Sequence, residues 1–439
     1  MADSMDALLN LAALDAAQLP TASRKLAEFS LFDWMSVAIA GSSQPLCGIV
    51  RAQALSEGGS PMASLVGSDT KLPARAAAWV NGAVSHALDY DDTHFAHIGH
   101  LSVGIYPAAL AAAEEVGAGA AAVRDAFLLG AEAACRLGMV LGRGHYQRGF
   151  HQTATAGAFG ATIAAGRIYG LNRGQMRAAL SLVSTRASGL KSQFGTMGKP
   201  LNAGISASNG VEAASLARRG FSSCDDGISG PQGFITTHAD APDHETPWRN
   251  PPPGHFVFDA ISYKLHACCH GTHAMIEALR QARADGRLER ATLRRIVVRT
   301  HPRWLAVCDI KQPRTGLEVK FSYAWLAAMV VSGVNTASEA AYVDELCNDP
   351  ALRDLAACVV VIGDESLRDT EAVVSVEAGD GPLRYTHDLS APIPLDVLAL
   401  GLRAKSEGLV GRARADRLWD AIRGIEALPA TALGALLRG

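Results

Sequence analysis

The chain has 439 residues, 49% of them hydrophobic and 19% charged, with a formal net charge of −3. This is an ordinary globular composition, long enough for two domains with sizeable cores. It carries no basic run, so it lacks the Lys/Arg footprint of a nucleic-acid partner, and no apolar stretch approaches the roughly 18 residues of a membrane span.

The first basic residue is Arg24, which is unlike the charged start of a leader peptide, so a cytoplasmic protein is expected. The eight cysteines, Cys47, Cys135, Cys224, Cys268, Cys269, Cys308, Cys347 and Cys358, contain no CxxC pair. Buried thiols are expected from them, with no disulfide or zinc site.

Residues 1–240 read as helix after helix. Apolar residues recur at three- and four-residue intervals over Thr21–Ala40, which Gly41 ends, and again over Ala74–Val84, Tyr106–Val116, Val123–Leu141, Ala154–Tyr169, Gly174–Ser188 and Gly204–Arg219. The many Ala and Gly residues on these faces predict helices with closely approaching backbones. Residues 222–256 are turn-rich, with Gly230-Pro-Gln-Gly233 and Asn250-Pro-Pro-Pro-Gly254, and mark a boundary. Beyond them strands are expected at Arg294–Thr300, Cys358–Ile362 and Ala372–Ala378, alternating with helices at Thr272–Ala284 and Phe321–Ser332. From Leu395 the pattern is helical again. The expected fold is mainly α with an α+β part: an all-α helical domain of residues 1–255 and 395–439, and a smaller α+β lid domain of residues 256–394.

The densest chemistry lies in His86–His100, HALDYDDTHFAHIGH. Its neighbouring carboxylates can push one another's pKa values apart, which suits acid–base work, although aspartates there can equally cap the following helix. His97 and His100 are three apart, like metal ligands, but no further ligand set accompanies them, so no metal is expected. His151 stands before a small-residue helix, where Thr153 or Thr155 could cap. Lys191 and Lys199 lie in a glycine-punctuated stretch ahead of a helix, where N–H groups and an ammonium can meet a carboxylate. Tyr263-Lys-Leu-His-Ala-Cys-Cys-His-Gly-Thr-His273 offers Lys264, three histidines and two thiols, with Thr272 a candidate cap.

Four blocks occur in a telling order: Leu31-Phe-Asp-Trp34 with Ala40-Gly41, Asn81-Gly-Ala-Val-Ser-His-Ala-Leu-Asp-Tyr-Asp-Asp-Thr93, Gly198-Lys-Pro-Leu-Asn-Ala-Gly204 and Lys320-Phe-Ser322. Together they resemble the MmgE/PrpD family, which includes 2-methylcitrate dehydratase, cis-aconitate decarboxylase and iminodisuccinate epimerase. The resemblance implies a helical domain completed by the C-terminal helices, an α+β lid, a homodimer, and a site between domain and lid that needs neither metal nor cofactor. It assigns catalysis to Asp89, His100, His151 and Lys199, and substrate binding to Thr93, Lys264 and His273, to which the two-lysine glycine stretch adds Lys191. The implied substrate is a small anionic di- or tricarboxylate, and the implied reaction is a 2-methylcitrate dehydratase-like hydro-lyase, with epimerase or decarboxylase as alternatives. This chain departs from the family pattern in several places. Lys-Pro-Leu-His becomes Lys199-Pro-Leu-Asn202, His-Pro-Ser becomes His100-Leu-Ser102, and Trp325 replaces the tyrosine of the F-S-x-x-Y block.

Overall fold

The computed structural model describes residues 4–378 and 381–438. The chain divides into two units, Met1–Tyr263 with Val410–Gly439, and Lys264–Leu409.

The first unit is a large helical domain. It begins with α1 (Ser4–Ala12), α2 (Thr21–Gly41), α3 (Pro45–Glu57) and a short antiparallel hairpin of β1 (Ala63–Leu65) and β2 (Ser68–Leu72). There follow α4 (Ala74–Ser85), α5 (Ser102–Val116), α6 (Ala120–Arg148, broken at Gly142), α7 (Thr155–Ile168), α8 (Arg173–Ser184), α9 (Gly198–Arg218) and α10 (Phe234–His238). The hairpin was not expected from the sequence: strands of three and five residues are too short for alternation to register.

Helix α5 is the centre of this unit. Every residue from Ser102 to Glu114 is buried, and α4, α6, α7 and α9 all pack on it. An alanine-rich helix can be enclosed in this way because its neighbours approach to backbone distance. Between α6 and α7 the approach is closest at two glycines: a Cβ added to Gly130 would lie 2.4 Å from the Gly160 carbonyl oxygen. Glu114 closes the buried end by accepting bonds from the Ser64 N–H and hydroxyl, both 2.7 Å.

The second unit is α+β. It contains α11 (His273–Ala284), β3 (Leu293–Thr300), α12 (Leu305–Cys308), α13 (Gly316–Val319), α14 (Tyr323–Val331), α15 (Pro350–Ala357), β4 (Val359–Gly363), β5 (Glu371–Ala378), β6 (Gly381–Asp388) and α16 (Leu395–Val410). The strands form one mixed sheet in the order β4-β3-β5-β6, in which β3 and β4 are parallel and the other pairs antiparallel. Ile296, Val298 and Thr300 alternate inward on β3, and α11 lies against β5 and β6. Strand β6 was missed because its alternation is carried by a single buried residue, Tyr385. In α16, Gly401 faces Leu265 of the same unit, so the helical periodicity that starts at Leu395 runs through both units. The chain returns to the first unit with α17 (Arg412–Arg423) and α18 (Ala430–Leu437). No helix among the described residues is long and apolar enough to cross a membrane.

Candidate active site

Helices α4 and α9 cross where neither carries a side chain. A Cβ on Gly82 would fall 2.8 Å from the Gly204 Cα, and one on Gly204 would fall 2.3 Å from the Trp79 carbonyl oxygen. Only glycine at both positions permits this approach. The crossing sets the end of α4, with its C-cap His86, beside the first turns of α9, which carry Lys199 and Asn202. The sequence suggested a loop up to Gly204, but the helix starts at Gly198. Pro200 falls in its first turn, where a missing N–H costs nothing.

Between α4 and α5 the chain turns sharply, and Asp89 adopts φ 52°, in the left-handed region. Aspartate tolerates that region better than most residues, and such conformations gather at functional sites. The turn aims the Asp89 carboxylate at α9: Oδ2 lies 2.7 Å from Lys199 Nζ and Oδ1 lies 3.6 Å from His100 Nε2. Both charged side chains remain reachable, Asp89 at 31% and Lys199 at 17% exposure.

Asp91 points the other way, into the protein, and its side chain is fully buried. Its two oxygens face two imidazoles: Oδ1 lies 2.8 Å from His86 Nδ1 and Oδ2 lies 2.7 Å from His100 Nδ1. Burial pushes the carboxyl pKa up, but His100 and His86 outweigh it and hold Asp91 well below the usual carboxylate range. The adjacent Asp92 behaves oppositely. Burial raises its pKa to about 7, against the lowering bond from Ser102. Its Oδ1 accepts the Leu101 and Ser102 N–H groups and its Oδ2 contacts the Ser102 hydroxyl. The helix-capping role open to this stretch therefore belongs to Asp92.

His151 is buried after α6, its N–H donating to the Gly189 carbonyl at 2.9 Å. Its Nδ1 lies 3.1 Å from Asn202 Nδ2, and Phe194 meets the ring edge-on at 5.0 Å. Burial, then His86 and Lys199, hold its pKa well below the ordinary histidine value. Burial thus favours the uncharged form of the His151 ring. Thr153 accepts the His100 N–H at 3.0 Å, whereas Thr155 contacts His145 Nε2 at 2.9 Å. Neither makes a side-chain cap bond to α7.

The remaining sequence candidates have partners of their own. Thr93 exchanges backbone bonds with Ser262, both 2.8 Å. Lys191 donates to the Tyr146 carbonyl at 3.0 Å and lies 3.6 Å above that ring's centroid. His97 is buried, with Gly138 against its ring, and burial pulls its pKa down to about 3. It belongs to a turn, so its spacing from His100 is not a helical one. Lys264 and His273 are buried in the second unit, where burial lowers the His273 pKa. Thr272 makes no cap bond to α11; its hydroxyl donates to the Cys269 carbonyl at 2.7 Å. Tyr323, two residues before Trp325, is fully buried and its hydroxyl donates to the Gly271 carbonyl at 2.8 Å. Two residues that sequence reading had not given roles emerge beside Asp91, which is expected to hold this stretch in shape: His86 pairs with Asp91 and Asn202 with His151. Only their place within the two motifs signalled them.

His86, Asp89, Asp91 and His100 each bring one donor atom within 4.8 Å of the others, the one such group found among the described residues. The 2.7 and 2.8 Å His–Asp separations are hydrogen-bond lengths, and Lys199 already sets a positive charge on Asp89. Turnover is therefore expected to survive dialysis against EDTA. Loss of activity restored by a divalent cation would overturn that expectation.

The sequence pattern of the MmgE/PrpD N-terminal domain matches residues 10–247, and that of the MmgE/PrpD C-terminal domain matches residues 266–392. A cis-aconitate decarboxylase of Aspergillus terreus is 26% identical over 399 residues, spanning 83% of this chain and 81% of the relative. A second Aspergillus terreus cis-aconitate decarboxylase is 30% identical over 53% of this chain and 50% of its own length. The Homo sapiens cis-aconitate decarboxylase is 32% identical over 35% of this chain and 33% of its own length.

Proposed function

The chain belongs to the MmgE/PrpD family of carboxylate-acting enzymes, and from that premise we propose that it is a lyase moving a proton at the carbon next to a carboxylate of a small di- or tricarboxylic acid. The observation that carries this reading is the pairing of Lys199 with Asp89 beside a histidine backed by a buried carboxylate: Lys199 to Asp89 2.7 Å, His100 to Asp91 2.7 Å.

In this reading Lys199 anchors a substrate carboxylate, which displaces Asp89 from the ammonium. His100 Nε2, on the Asp89 side of the ring, takes the α-proton, and Asp91 stabilises the imidazolium that forms. Negative charge then develops on the substrate carboxylate as an enolate, and Lys199 and His151 stabilise it. Thr93 and Lys191 are assigned to substrate binding, Lys191 through its hold on Tyr146. Departure of a β-hydroxyl gives a 2-methylcitrate dehydratase-like hydro-lyase. Where the C–CO₂ bond breaks in place of the C–H bond, its electron pair stays on carbon and is quenched by a proton from protonated His100, which gives a decarboxylase, a second reading favoured by the names of the relatives. Return of the proton to the other face gives an epimerase.

Incubation with 2-methylcitrate, citrate and cis-aconitate in D₂O separates these outcomes. Deuterium incorporation is expected with at least one acid, accompanied by alkene absorbance for dehydration or by CO₂ for decarboxylation. Deuterium uptake without either indicates epimerisation. Absence of exchange, alkene and CO₂ with all three acids would sink the proton-transfer reading for this substrate class.

A further inference from the structure

We propose that Asp91 and Asn202 are positioning residues that hold His100 and His151 in opposite tautomers, so that one presents a basic Nε2 and the other a donating Nε2–H. The catalytic consequence rests on the proton-transfer reading above; the tautomers themselves do not.

The inference follows from what each partner can offer. An ionised carboxylate only accepts. Asp91 is fully buried, is held in its charged form, and faces the Nδ1 atoms of both His86 and His100. Each Nδ1 must then carry a proton, since a lone pair against a buried carboxylate oxygen would leave both uncompensated. A neutral His100 with its proton on Nδ1 has its lone pair on Nε2, the atom that lies 3.6 Å from Asp89 Oδ1.

Asn202 imposes the reverse on His151. Its Nδ2 is 3.1 Å from His151 Nδ1 and 3.4 Å from the Leu190 carbonyl oxygen. A carbonyl only accepts, so the amide atom beside it is the nitrogen, and that same nitrogen donates to His151. Nδ1 of His151 therefore carries the lone pair and Nε2 the proton. Burial keeps the ring neutral, which makes it a hydrogen-bond donor for a developing oxyanion and a poor base. The family residue at this position in the Lys-Pro-Leu-His motif is itself a titratable, two-tautomer side chain. An asparagine fixes donor and acceptor permanently.

The charged and titratable groups around this pair are Asp89, Asp91, His86 and Lys199, with His97 close enough to His100 to be felt. His86 lies 4.5 Å from His100 and 6.2 Å from His151, ring centre to ring centre. Three imidazoles share this pocket, so unless their tautomers are imposed, each could exchange roles with its neighbour.

The test is long-range ¹H–¹⁵N NMR on the full chain labelled with ¹⁵N-histidine, with His100→Gln and His151→Gln used for assignment. At a pH where the rings are neutral, His100 is expected to show a protonated Nδ1 and a bare Nε2, and His151 the opposite. Asp91→Asn is expected to shift His100 toward the Nε2–H form and to lower kcat by about 10³- to 10⁴-fold, with a changed pH profile and little change in KM. Asn202→Asp is expected to invert His151 and to lower kcat by about 10²-fold. A His100 protonated on Nε2 or on both nitrogens, a His151 protonated on Nδ1, or tautomers unmoved by either substitution would overturn the proposal. If a variant fails to fold, the spectrum of the unsubstituted protein still decides. Tautomers as stated in a protein that turns over none of the three acids would refute the proton-transfer reading and leave the tautomer assignment standing.

Discussion

Lys199→Ala is expected to lower kcat/KM by about a thousandfold while far-UV circular dichroism and melting temperature stay close to those of the unsubstituted protein. Lys199 sits in the first turn of α9, at 17% exposure, and its ammonium is held 2.7 Å from Asp89 Oδ2. In the proposed reaction it meets the substrate carboxylate both on binding and as enolate charge develops, so its removal raises KM and lowers kcat together. The fold is little affected because the broken pair is partly solvated on both sides, and such pairs contribute little to stability. Asp89, released from its cation, remains accessible to water. If kcat/KM with an accepted substrate is unchanged, Lys199 does not belong to the site.

Much of this site is legible in the sequence, and the illegible part has definite physical causes. Glycine stops and apolar spacing locate the helices, and small residues foretell their close packing, which the Gly82–Gly204 and Gly130–Gly160 approaches carry to the backbone. The motif order brings Asp89, His100 and Lys199 to notice, and the Asp89 carboxylate lies within 4 Å of both the other two. Composition does not reveal which aspartate does what. Asp89, Asp91 and Asp92 are near neighbours of one residue type, yet a left-handed φ at Asp89 turns its carboxylate to α9 while Asp91 and Asp92 face inward. The start of α9 was read too late because Gly198 and Pro200 look like loop residues when their place in a first turn is unknown. The partnership of Asn202 with His151 joins positions 51 residues apart, and only the crossing helices bring them together.

The neighbouring Asp92 gives the fold a pH signature of its own. Its pKa is raised from 3.8 to about 7 by burial, which outweighs the lowering bonds from Ser102. The folded protein thus keeps a proton that the unfolded chain releases near pH 4. The stabilising contribution is complete below that pH, falls as pH rises, and is lost once pH passes about 7. The span of about 3 units corresponds to about 4 kcal/mol. Asn at this position reproduces the neutral acid permanently: its oxygen can keep the Leu101 and Ser102 N–H bonds, and its NH₂ can donate to the Ser102 hydroxyl. Relative to the unsubstituted protein, Asp92→Asn is therefore expected to gain up to about 4 kcal/mol between pH 4 and pH 8, with little difference at the acid end. Urea-unfolding midpoints of both proteins across that range measure the effect, and parallel pH profiles would show that Asp92 ionises in the folded state as freely as in the unfolded one. The contrast with Asp91 explains why adjacent aspartates hold opposite charge states. Asp91 is ionised because two histidine Nδ1 atoms face it, whereas Asp92 meets two backbone N–H groups and a hydroxyl, a set that a neutral carboxyl can satisfy equally well.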